Sequence, residues 1–249
     1  VNRFNIVGKG KQQMRAQNMM AATVDLDWKW LYRVGGISAF ALGFSYIIII
    51  MLYLPVGAPP SEAEARLLYL AENTTLWWMI LALSVLTDFL FVPVTVALYL
   101  ALKEINRNMM LMAVVCVGLF ILLDLAITWT NYASLIMLSS NYATATNDAE
   151  RAVFVTAAIY PTMILKSSLL FVYNTLTLGV GIFMIGLVML KGIFSKSTAY
   201  MGLATGILAT VAVVGSMFVS ALSATIILAS ILTTVWVMFA GYRLYRLGQ

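Results

Sequence analysis

Of the 249 residues, 62% are hydrophobic and 10% are charged, against roughly 45–50% and about 25% in soluble domains; a water-soluble globule is excluded, because only lipid can cover that much apolar surface. The net charge of +5 gives no argument for a nucleic-acid partner, since the basic residues cluster at the edges of apolar runs. With no histidine and a single cysteine, Cys116, the chain lacks the makings of an intrachain disulfide and of the usual zinc, haem or iron–sulfur ligand sets, so no such metal and no cofactor are expected, which leaves open only a carboxylate site for a hard ion.

Residues 1–32 read as a basic arm carrying Arg3, Lys9, Lys11 and Arg15, without the early apolar core of a signal peptide. From Lys11 to Val24 the pattern is that of a weakly amphipathic surface helix. Trp28, Trp30 and Tyr32 make an aromatic cluster of the kind found at a membrane interface. Residues 33–249 then form a transmembrane domain with apolar spans at about 34–54, 77–102, 109–138, 162–190, 199–219 and 222–242. The fold class is all-α, a polytopic membrane bundle of six transmembrane helices whose last two spans form a tight hairpin. Two outer segments carry helix-start signals. Ser61-Glu62-Ala63-Glu64 has the capping-box pattern, and Asn147-Asp148-Ala149-Glu150 offers a similar start that Pro161 ends or kinks. Short outer helices are therefore expected in loops 1 and 3.

With the amino terminus inside, twelve of the 15 basic residues fall in inner segments and three, Arg66, Arg151 and Lys166, fall outside. The positive-inside rule then places both termini in the cytoplasm.

Asp88 and Asp124 lie deep within spans two and three, roughly 16 Å and 21 Å from their outer ends at 1.5 Å per residue. Both are near the midplane of a hydrocarbon core about 30 Å thick. A carboxyl at that depth is costly, so it faces a partner or a cavity inside the bundle. Ser84 and Thr87 lie within a turn of Asp88. Thr128 and Asn131 continue the face of Asp124 at i+4 and i+7, and Lys166, Tyr173, Asn174 and Thr177 make a comparable stripe in span four. The expected polar centre is built from these three spans, with Lys166 nearer the surface and able to snorkel outward. Two roles compete for it: a proton or cation site, and a hydrogen-bonded acid pair that fixes helix register. Nothing else in the sequence favours the first, so the structural role carries more weight.

Pro93, five residues beyond Asp88, removes a backbone hydrogen bond and is a candidate hinge. Gly35, Ala39 and Gly43 in span one, and Gly202, Gly206 and Thr210 in span five, recur every four residues, a spacing that lets helices approach closely. They serve packing inside the bundle, or alternatively an interface with another subunit. Asn73-Thr74-Thr75 matches a glycosylation acceptor and also stands where span two needs an N-cap, the simpler role.

The order of features also carries a resemblance. Trp30-Leu31-Tyr32-Arg33-Val34-Gly35-Gly36 opens span one, Leu67-Leu68-Tyr69-Leu70 follows outside, and Asp88 lies in span two. Ala97-Leu98-Tyr99-Leu100-Ala101-Leu102-Lys103-Glu104-Ile105-Asn106-Arg107 closes that span, Asp124 follows in span three, and span four is rich in glycine. From about residue 28 onward this resembles a family of uncharacterised prokaryotic six-helix membrane proteins, known only as a domain of unknown function. The resemblance implies a six-helix protein of a prokaryotic plasma membrane. It brings no activity, cofactor or catalytic residue.

The sequence supports two functions ahead of any enzyme. The first is a non-catalytic accessory or structural subunit that packs against lipid and against a larger membrane complex or further copies of itself. The second is a small proton- or cation-coupled transporter using Asp88 and Asp124. An intramembrane aspartyl protease would need Tyr-Asp and Gly-x-Gly-Asp motifs, but Asp88 follows Thr87 and Asp124 follows Leu123.

Overall fold

The computed structural model describes residues 26–249, and among them every regular element is a helix. Most of the basic arm, residues 1–25, and the surface helix expected within it lie outside the described residues. After a 3-10 turn at Leu26–Trp28, helix α1 spans Lys29–Tyr53. It therefore begins inside the segment assigned to the arm. Trp28 and Trp30 are exposed, but Tyr32 is wholly buried and is not part of an interfacial cluster. The reason is helical register: Tyr32 shares a face with Gly35 and Gly36, three and four residues on, and that face packs against other helices.

Helix α2 (Ala63–Glu72) is short. Its N-cap is Glu62, without a side-chain hydrogen bond, so the Ser61 capping box does not form. Glu64 instead accepts a 2.9 Å hydrogen bond from the hydroxyl of Tyr142, seventy-eight residues away. Tertiary contact has taken the carboxylate that local pattern assigned to capping.

Helix α3 (Thr74–Leu123) folds back at Asn106, whose φ of −157° and ψ of 88° are non-helical. Its second arm runs on through a π-helical segment, Asp124–Trp129, into α4 (Thr130–Thr144). Stacked Trp77 and Tyr132, and edge-packed Phe91 and Phe120, join the two arms. Both pairs have sequence midpoints close to Asn106, as an antiparallel hairpin requires. Asn73 occupies the N-cap position of α3 without capping it; its amide donates to the Tyr69 carbonyl at 2.9 Å.

Helix α5 (Asp148–Leu165) starts on a formed cap, with Asn147 accepting from the Glu150 amide. It runs through Pro161 instead of ending there, and the break falls at Lys166 and Ser167. The long helix that follows, α6 (Ser168–Met189), thus starts later than the expected span. Helix α7 (Lys196–Thr210) continues into a second π-helical segment, Val211–Gly215. A 3-10 turn, Ser220–Ala224, leads to α8 (Thr225–Leu247).

Among the described residues, five continuous helical runs are long and apolar enough to cross a membrane. One of them, Thr74–Thr144, is the run that doubles back at Asn106. At the terminal end, Arg33 donates to the Gly248 carbonyl and Arg243 to the Ile193 carbonyl. The turn at Asn106 and the connection from α6 to α7 meet there too, with Gly192 against Ile105. Helices α2 and α5 lie at the opposite end, packed over α3 and α4 through Leu67, Leu70, Trp77, Leu135 and Ala158.

Packing is closest in the terminal half. A Cβ added to Gly35 would lie 2.4 Å from that of Ala97, and one added to Gly43 would lie 2.5 Å from Cγ of Met238. Ala39 faces Gly241, Gly202 faces Trp236, and Gly206 faces Phe183. Helix α1 thus touches α3 and α8, while α7 touches α6 and α8. Both small-residue stripes meet helices of the same chain at distances no added methyl group tolerates.

Candidate functional site

The arms of α3 bring the two acids together. Asp88 is 1% exposed and Asp124 is 8% exposed. They are close enough to interact electrostatically. The indole of Trp129 donates to Oδ2 of Asp88 at 3.0 Å and lies beside Asp124 as well. From α6, the amide of Asn174 donates to Oδ1 of Asp124 at 2.9 Å and to the hydroxyl of Thr128 at 3.0 Å. Hydrogen bonds to an ionisable acceptor are the strong kind and hold three helical segments in register.

The π-helical segment explains which neighbours are present. It widens the turn, so the residues at i+4 and i+5 both come alongside residue i. Thr128 and Trp129 therefore both flank Asp124. Asn131, which a continuous α-register would place on the same face, instead donates to the Ile127 carbonyl on its own helix and is not part of the centre.

Ser84 and Thr87 are buried beside Asp88, and the Thr87 hydroxyl donates to the Ser84 carbonyl. Tyr46 of α1 stands beside Thr87 and interacts with both acids. The Tyr173 hydroxyl makes no hydrogen bond to either acid; its carbonyl accepts from Thr177. The helix is continuous at Pro93, where Gly35 of α1 packs against the proline carbonyl. Lys166 is exposed, at the break between α5 and α6.

Sequence reasoning missed Trp129 and Tyr46. A signal for the first existed: tryptophan belongs at membrane interfaces, and one placed deep in a span needs an acceptor for its N–H. Tyr46 lies in an apolar run with no polar neighbour at helical spacing, and only packing reveals it.

Two cavities flank Asn174 and Thr175. The larger, about 540 Å³, reaches from Lys166 and Ser168 past Val213 and Met217 down to Thr128 and Asn174. Three helix interruptions converge on it: the first π segment at Thr128, the break before α6, and the second π segment at Val213. Irregular backbone at membrane depth is tolerated where it lines a cavity or is buried in protein. The smaller, about 350 Å³, lies between α1 and α8, with Asp124, Asn174 and Thr234 in its wall. Oδ1 of Asn174 is buried and accepts no hydrogen bond. Among the described residues no three His, Cys, Asp or Glu side chains form a group able to hold a metal ion.

The fold and centre define an all-helical membrane protein with a buried acid pair beside a cavity. The chain belongs to the family described as Domain of unknown function (DUF4386), which matches residues 29–242. Neither a comparison with curated proteins nor one with solved structures gives a match.

Proposed function

We propose that this chain is a small carrier that crosses a prokaryotic plasma membrane six times, with both termini cytoplasmic, and that Asp124 binds and releases a proton or cation. The hairpin at Asn106 supports the count by making two crossings of one helical run. The orientation is supported by Arg33, Lys103, Arg107, Lys191, Lys196, Arg243 and Arg246 at the terminal end, against Arg66, Arg151 and Lys166 at the other. One observation carries the functional reading: Asp124 lines one cavity, and its partner Asn174 lines both. A pair serving register alone would sit in a dry, filled centre.

Asp88 differs. It is in the wall of neither of these two cavities, and its partner is the Trp129 indole, which suits a fixing role better than an exchanging one. The alternative of an accessory subunit is weakened because both glycine stripes are occupied within the chain. The test is reconstitution into liposomes with a trapped pH-sensitive dye, under an imposed potential. Wild type should move protons, or a cation against protons. Asp124→Asn should abolish this, while Asp88→Asn should leave a measurable fraction. Identical traces for wild type and Asp124→Asn would remove the carrier reading. A single protein co-purifying stoichiometrically from native membranes would favour the subunit instead.

A further inference from the structure

The smaller cavity has a chemical character of its own. It is bounded by Ile49 and Ile50 of α1, Phe120 of α3, Leu178 of α6 and Ile226 of α8, with Asp124 in its wall. Its mouth lies near the end of the bundle away from the termini. Ile50, 46% exposed, is one turn from the end of α1, and exposed Ser230 is within two turns of the start of α8. Helices α1 and α8 are clamped together further down, where Gly43 meets Met238. Beyond that clamp the cavity separates them, and in a bundle embedded in a bilayer this gap would open toward the acyl chains.

The polar groups in that gap are mostly acceptors. The hydroxyls of Ser230, Thr233 and Thr234 already donate to the carbonyls of Ile226, Ala229 and Ser230 on their own helix. Each therefore presents only oxygen lone pairs. Asp124 adds a carboxyl to the wall, and Asn174, whose amide donates to it, stands beside it. Thr175 adds a hydroxyl to the wall, and the hydroxyl of Tyr46 is held by Thr87. Buried acceptors left unsatisfied are costly, so the occupant that suits this wall brings N–H donors, a positive charge and an apolar body. Its volume falls within the range of small-molecule sites, about 300–1,000 Å³.

We propose that this crevice takes up a lipophilic ammonium compound from the adjoining bilayer leaflet, with Asp124 as its counter-ion and the acceptor wall holding its N–H groups. The proposal rests on the carrier reading and names its substrate class. A protonated amine is preferred over a quaternary one, because only the former donates hydrogen bonds. Its binding displaces the proton of Asp124 to the aqueous side, which couples amine and proton at one carboxyl.

The test uses the full chain in lipid nanodiscs with dansylcadaverine, a fluorescent primary amine, and its neutral N-acetyl derivative. Wild type should bind the amine saturably, with the emission shift of an apolar site, and should release a proton into a weakly buffered medium as it does so. The N-acetyl form and Asp124→Asn should each weaken binding roughly tenfold or more, the scale of losing one charge-assisted hydrogen bond. Ile50→Trp, which fills the mouth without touching the acid, should also weaken it and serves if Asp124→Asn fails to fold. Equal binding of the two probes, or undiminished binding by Ile50→Trp, overturns the proposal. A carboxyl that takes up protons without amine, in a protein that binds none, overturns the amine site and leaves the proton site standing. A centre that exchanges no proton at all removes both.

Discussion

The two halves of the bundle are built from the same residue types and behave as opposites. In the terminal half, glycines bring helices to backbone contact: Gly36 lies against the backbone of Tyr245, and Gly186 against the backbone of Leu203 and Ala199. In the other half, α6, α7 and α8 carry a π segment and a break and stand apart around two cavities, while α2 and α5 pack on α3, α4 and the end of α1. Where small residues align with small residues, dispersion closes the gap; where hydroxyls and β-branched chains face one another across interrupted helices, it does not. A rigid base and a loose opposite half, with the acid pair at the junction, make the division of labour that the proposed carrier requires. Each half can be challenged by substitution.

Gly36→Leu should have the largest effect. Its side chain has nowhere to go but into the Tyr245 backbone, and overpacking of that kind costs about 1–3 kcal/mol or more. Thermal unfolding in mild detergent should show a much lower midpoint, or no folded protein. An unchanged midpoint would mean the terminal half is not clamped as described.

Trp129→Phe keeps an aromatic ring, though a smaller one, and removes the N–H that Asp88 accepts. A buried acceptor left without its donor costs about 1–3 kcal/mol, and denaturation should register that loss. Asp88→Ala together with Trp129→Phe should cost less than the two changes added separately, because each breaks the same hydrogen bond. Strict additivity in this double-mutant cycle would sever the link between the two residues.

Asn147→Ala removes the side-chain cap of α5 and should cost about 1 kcal/mol. Since Asn147 stands at the far end of α5 from Leu165, the residue of that helix in the wall of the larger cavity, proton movement in liposomes should be unaffected. A loss of flux at unchanged stability would show that α5 takes part in access.

Thr175→Leu should have the smallest effect on stability, below about 1 kcal/mol, because both cavities offer room for the added carbon atoms. If the same substitution destabilised the protein as much as Gly36→Leu, the contrast between the halves would fail. Slower proton exchange, read by the trapped dye, should accompany its mild stability change.

How much of this was legible beforehand depends on whether the chemistry was local. Asp88, Asp124, Thr128 and Asn174 stand out as polar groups in apolar runs, and the structure gathers all four. Asn131 obeyed the α-helical spacing but not the wider turn, and it turned back to its own helix. The capping pattern at Ser61 failed, with Glu64 drawn to a distant partner in Tyr142, whereas the one at Asn147 formed, with the Glu150 carboxylate kept local on Thr146.

The amino-acid order by itself determined the class of protein, an all-helical membrane bundle, because the cost of wetting long apolar runs and of leaving backbone groups unbonded in lipid admits little else. It also determined that two carboxyls would be hidden inside. Only the tertiary structure decided which donors reach them, which glycines close the bundle and where it stays open. Those outcomes depend on the rotation of each helix about its axis, and a single widened turn at Asp124–Trp129 resets that rotation for every residue beyond it.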